Sequence, residues 1–175
     1  MYIITMLQAS NKSDQARWWI IAAVVAATLI SDSVKFLRND LSDNITDPVT
    51  RATDERFVMT SYPQRSVRYP IITVRNEGVQ EVQKTGFKSE LKWVKLPMEV
   101  RVWARNEKEK DELTEQVLNR LRVNQFDGGS ASSDDFELHD FKILNVVHVD
   151  EPNENGKQGV KSSVIHLSFN HMYGS

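Results

Sequence analysis

The sequence predicts an α+β domain built on a largely antiparallel sheet, and three observations carry that prediction. Residues 93–104 alternate with period two: Val94, Leu96, Met98, Val100, Val102 and Ala104 fall on one face, and Lys95, Glu99, Arg101 and Trp103 on the other. This is the pattern of a strand with one buried face. Asn106 followed by Glu109 then reads as an N-cap with its capping box, opening a helix. Its Leu113, Val117, Leu118 and Leu121 recur at helical spacing, so one narrow stripe docks and the rest is solvated. Finally, short strand-like runs punctuated by Pro, Gly and Asn lie on both sides of this strand–helix unit. The expected order is α-β-β-β-α-β-β, with an N-terminal and a central helix packed on the sheet.

Taken in order, the chain opens on an apolar extension, residues 1–30, ahead of a single domain spanning residues 31–175. Trp18 to Ile30 is an uncharged run preceded by Lys12 and Arg17. It falls short of the roughly 20 apolar residues that a membrane-spanning helix needs. Three readings stay open for it: a helix buried against the domain or a neighbouring subunit, an anchor or uncleaved signal, and a start-site extension without a role. Ser31 or Asp32 can cap the next helix, whose Ile30, Val34, Leu37 and Leu41 share one side. Asp47-Pro48 ends that segment.

Arg56–Tyr62 reads as a short strand stopped at Pro63, and Ile71–Arg75 as a second strand opened by Pro70. Asn76-Glu77-Gly78 is a turn, and Gly86 marks a bend before the central strand. Pro97 has no N–H to give a ladder, which places it at a bulge or at an edge-facing position. After the central helix, residues 127–135 read as a flexible, mildly acidic loop. Two strands follow, one with Phe141, Ile143, Val147 and Val149 on a common face, the other with Ile165, Leu167 and Phe169. The polar tip between them, residues 150–159, is too long for a tight turn.

The charge balance excludes some functions. With 22 basic and 24 acidic residues and a net charge of −2, no global field draws in nucleic acid or anionic membrane. Cysteine is absent, which removes disulfides, thiol nucleophiles and thiolate metal sites. His139, His148, His166 and His171 lack the spacing of a zinc motif and read as structural or surface residues, so no metal and no cofactor are expected. Glu107, Glu109, Asp111, Glu112 and Glu115 alternate with Lys108 and Lys110 as on a solvated helix face. Asp134-Asp135 sits in a Gly/Ser loop without an apolar shield to raise a pKa. No phosphate-binding loop or dinucleotide fingerprint is present. Catalytic residues are therefore not expected, and neither is a small-molecule substrate. Arg65, Arg68 and Arg75 interleave with Tyr62 and Tyr69, which could serve single-stranded nucleic acid. With so little net charge, aromatic anchoring between subunits is the favoured use.

The segments Tyr69-Pro70-Ile71-Ile72-Thr73-Val74, Trp93 through Asn106, and Glu107 through Leu113 to Leu121 together resemble the tail terminators, or tail-completion and neck proteins, of long-tailed bacteriophages and archaeal tailed viruses. The resemblance spans about residues 30–172 and lies in element order and local pattern. It implies a virion protein, assembled in the host cytoplasm, forming a ring that is usually a hexamer. The ring caps the tail tube protein, joins it to the head connector or head-closure protein, and lets genomic DNA through without specific binding. A ring buries two different flanks of each subunit. Tyr62, Tyr69, Trp93, Pro97, Arg101 and Trp103 are the candidate interface residues, Trp103 being expected to point outward. The rival readings are a head-closure, connector or other minor tail protein, a membrane-associated accessory protein, and a small nucleic-acid-binding module.

Overall fold

The computed structural model describes residues 30–61, 67–78, 81–84, 92–126, 131–133, 136–150 and 159–173. The apolar N-terminal run and Tyr62 lie outside them, as do the side chains of Trp93, His139 and His171. Contacts divide the chain into Met1–Asp32 and a compact unit, Ser33–Ser175.

Residues 30–44 form helix α1. Ser31 and Asp32 lie within the helix, so neither is the cap that the sequence suggested. Its most buried positions are Ser33, Leu37 and Leu41 at 0% exposure, continued by Ile45 just past its end, a four-residue repeat along one side of the helix. The chain then leaves through an Asp47 turn, in which the Val49 N–H donates to Asp47 Oδ1 at 3.0 Å.

The sheet is mixed, and the fold is α+β. Its strands are β1 (Val58–Met59), β2 (Ile71–Asn76), β3 (Glu81–Lys84), β4 (Lys92–Ala104), β5 (Ala131–Ser133), β6 (Phe136–Asp150) and β7 (Lys161–Tyr173), with helix α2 (Glu107–Phe126) between β4 and β5. They run β1-β2-β4-β7-β6-β5, with β3 also paired to β4. Among the described residues, only β1–β2 is a parallel pair. The strand expected over Arg56–Tyr62 is thus reduced to two residues. Two further short strands arise, β3 between the expected turn at 76–78 and the bend at Gly86, and β5 within the expected loop over 127–135.

β4 is the spine. It pairs with β7 along its whole length without a register shift. On its other edge it pairs with β3 over residues 92–95 and with β2 over residues 98–103. Pro97 falls in the gap between these two partners. Its carbonyl accepts from Glu77 N and Asn76 Nδ2, both at 3.0 Å. In an antiparallel ladder a residue's N and O point to the same side. The missing Pro97 N–H is therefore aimed where no ladder bond is required, and β4 needs no bulge there.

The core face of β4 is fully buried from Val94 to Ala104 and matches Val74, Ile72, Ile165, Leu167 and Phe169 on its neighbours. α2 packs against β4, β6 and β7, burying Leu113, Val117 and Leu121. Its start follows the predicted cap. The Glu109 N–H donates to Asn106 Oδ1 at 2.9 Å, and the Glu109 carboxylate accepts from the Arg105 N–H at 2.9 Å. A fork of Arg120 on Asp40, with Nε 2.9 and 3.1 Å from the two oxygens, ties α2 to α1.

β6 departs from simple alternation. Its ladder with β7 shifts between His139 and Lys142 and again between Ile143 and Asn145. Asp140 sits at φ 53° within the first shift, a left-handed conformation that Asp tolerates better than most residues. Leu144 is the extra residue of the second. It moves Val147 and Val149 off the face that carries Ile143, so the four-residue face expected from the sequence is split. Phe141 still reaches the core, stacked on Phe169 with ring centroids 6.3 Å apart.

Candidate functional site

The face of the sheet opposite the core holds Pro97, Arg101 and Trp103 of the residues singled out from sequence. Strand register sets the residues of this face in rows. Arg75, Glu99 and His166 lie side by side on β2, β4 and β7, with Asn145 of β6 next in line. Thr73, Arg101 and Val164 form the adjacent row.

Trp103 does not point into solvent. It is 8% exposed, its indole N–H donates to Thr73 Oγ1 at 3.1 Å, and the Arg101 guanidinium lies 4.0 Å from its ring centroid. Arg101 also donates from Nη2 to Ser162 Oγ at 3.1 Å, and Ser162 Oγ donates to the Val149 carbonyl at 3.2 Å. The expectation of an outward tryptophan is corrected for a physical reason: alternation shows which residues share a face, not whether that face is covered. Pro97 is buried on this same face, and Tyr69 is half-buried ahead of β2. Arg101 and Trp103 are therefore in direct contact, Pro97 lies further along the same strand, and Tyr69 belongs to a separate connection.

Of the basic segment considered for nucleic acid, Arg65 lies outside the described residues, and Arg68 and Arg75 are exposed but hold partners within the fold. Arg75 Nη2 is 2.7 Å from Glu99 Oε2, and Arg68 Nη1 donates to the Thr50 carbonyl at 2.8 Å. The hydrogen bond to Glu99, with the nearby charges of Glu99 and Glu77, raises the Arg75 pKa despite partial burial.

A polar cluster that sequence reasoning missed sits on the Arg75 row. Glu77, just past the end of β2, brings Oε2 to 3.2 Å from His166 Nδ1. Glu99, 5% exposed, completes the group. One donor atom each from Glu77, Glu99 and His166 all lie within 4.8 Å of one another. Glu77 and His166 are 89 residues apart, so no local spacing could have signalled them. Only the β2–β4–β7 register does.

A serine–histidine contact also exists: His148 Nδ1 lies 2.8 Å from Ser163 Oγ. Nucleophilic catalysis needs the imidazole oriented by a third group and the hydroxyl open to substrate. Ser163 is 0% exposed, and no carboxylate among the described residues hydrogen-bonds His148. The contact is a cross-strand pair. A groove beside the start of α2 is lined by Thr46, Pro48, Asn106, Lys108 and Glu112 among others.

No protein-family model matches the chain, and no curated protein matches it. Among the described residues, no helix is long and apolar enough to cross a membrane.

Proposed function

We propose that this chain is a non-enzymatic structural protein of a tailed-virus neck, a tail terminator that assembles as a ring, caps the tail tube and joins it to the head connector. The observation that carries self-assembly is the outer side of β6. Beyond its short pairing with β5 at residues 136–138, no described strand pairs with that edge, and Leu144 and Val147 are 53% and 42% exposed on the same strand. An open edge with exposed apolar side chains is the kind of surface that a neighbouring chain covers. The bulges along β6 blunt unlimited strand addition, which suits a closed ring better than an open fibre. The position at the neck rests on the resemblance of the Tyr69–Val74, Trp93–Asn106 and Glu107–Leu121 segments to tail terminators.

A net charge of −2 and the internal pairing of Arg68 and Arg75 suit a channel through which DNA passes without sticking, since phosphate neutralisation dominates nonspecific affinity. The test is twofold. Mass measurement of the purified full chain should give a ring, and particles lacking the protein should carry tails of abnormal length. A chain that stays monomeric at all concentrations, together with normal tails in its absence, overturns the proposal. Axial position in an electron-microscopy map of the particle separates a terminator from a head-closure protein.

A further inference from the structure

We propose that Glu77, Glu99 and His166 form a binding site for one divalent transition-metal ion, with zinc as the best-matched representative. The inference is independent of the ring reading. Its basis is donor chemistry combined with strand geometry. Two carboxylates and an imidazole are a mixed oxygen–nitrogen set that suits zinc and its first-row neighbours, whereas magnesium and calcium favour oxygen alone.

Ligand atoms bound at about 2.0–2.1 Å to a tetrahedral zinc stand about 3.3–3.4 Å from each other. The Glu77 Oε2 to His166 Nδ1 separation, 3.2 Å, already has that spacing. The whole set lies within 4.8 Å, so closing the shell takes only small rotations of carboxylates. A water would fill the fourth position.

The backbone holds the ligands in place. Glu99 and His166 are direct cross-strand partners in the unbroken β4–β7 register. Glu77 is fixed by its own N–H to the Pro97 carbonyl at 3.0 Å, the same carbonyl that Pro97 turns toward the β2–β3 gap. The side chains of Glu77 and His166 are 30% and 29% exposed, so an ion can enter from solvent.

Charge favours a cation even with Arg75 present. A metal takes the imidazole as a neutral ligand, and two carboxylates against one guanidinium then leave one negative charge. Arg75 occupies Glu99 Oε2, and a carboxylate retains further lone pairs for a second partner. The Arg75 side chain is itself 60% exposed and can yield its place. A bound ion would staple the chain after β2 to the middle of the sheet, across β4 to β7, and would stabilise the folded chain by mass action.

The test uses the full chain stripped with a chelator and titrated calorimetrically with Zn2+ alone, alongside thermal denaturation with and without the ion. The expected result is one Zn2+ per chain, a raised Tm, and at least tenfold weaker binding of Mg2+ and Ca2+. His166→Asn and Glu99→Gln should each weaken Zn2+ binding at least tenfold. Glu77→Gln, at a partly exposed position, should do the same and serves where Glu99→Gln fails to fold. His148→Asn should leave binding unchanged. Absence of Zn2+ binding, equal binding of Mg2+ or Ca2+, or Zn2+ binding that survives both Glu77→Gln and His166→Asn overturns the site.

Discussion

Trp103 illustrates how a single side chain changes meaning once its neighbours are known. The indole is 8% exposed, bonded to Thr73 and covered by Arg101. Trp103→Ala should therefore cost about 3–5 kcal/mol, the usual range for removing a buried tryptophan. Trp103→Phe, which keeps most of the ring and loses the N–H donor, should cost about 1 kcal/mol in addition to any packing loss. Denaturant titration measures both, and a Trp103→Ala chain as stable as the parent would return the residue to the surface.

Glu109 gives a pH signature at the same scale. Burial alone would push its carboxyl up. The Arg105 side chain and backbone N–H, with the guanidinium charge, outweigh burial and hold it below the usual carboxylate range. A lowered folded pKa adds stability above the unfolded value of about 4.3 and loses it as pH falls through the folded value. The stability gap between the parent and Glu109→Gln should accordingly shrink as the medium is acidified below that window. A gap independent of pH would show that the carboxylate charge plays no part.

At the level of elements, β4 and α2 are the segments where local sequence and tertiary structure agree. Alternation, an N-cap at Asn106 and a leucine stripe are all near-neighbour signals, and the packed fold reinforces each of them. Glu107 and Glu109 in the first turn also suit the positive end of the helix dipole. Asn106→Ala should cost about 1 kcal/mol, lowering Tm by roughly 2–4 °C for a chain of this size. An unchanged Tm would mean that the cap does not stabilise the helix. β6 is the opposite case. Nothing in Asp140 to Val149 announces two register shifts, because a bulge is set by what the partner strand must match. That is why Val147 was expected beside Ile143 and is instead exposed on the other face.

For the whole molecule, the open stretch of β6 is where assembly can be tested without touching the core. Leu144→Glu and Val147→Glu place charges on residues that are already exposed. Each should leave the thermal midpoint close to the parent's while shifting the mass distribution toward single chains. A ring that persists in the double variant would place the subunit contact elsewhere, and a collapsed midpoint would show that β6 is covered within the subunit. The polar cluster belongs to this scale as well, since its three side chains meet only after β2, β4 and β7 have paired.

Local sequence sets the α+β class, the central strand and its buried face, and the cap and stripe of the second helix. All of these rest on residues within a few positions of each other, where steric and hydrogen-bonding preferences act directly. The turn read at Asn76–Gly78, in contrast, is no reversal, since Asn76 ends β2 and β3 continues in the same direction along β4. Strand pairing set the rest. It placed Pro97 in the gap between β2 and β3, covered Trp103, moved Val147 outward through the Leu144 bulge, and gathered Glu77, Glu99 and His166 on one face. Each of those outcomes depends on which strand lies alongside and in what register, and pairing between distant segments leaves no periodic trace in either one alone.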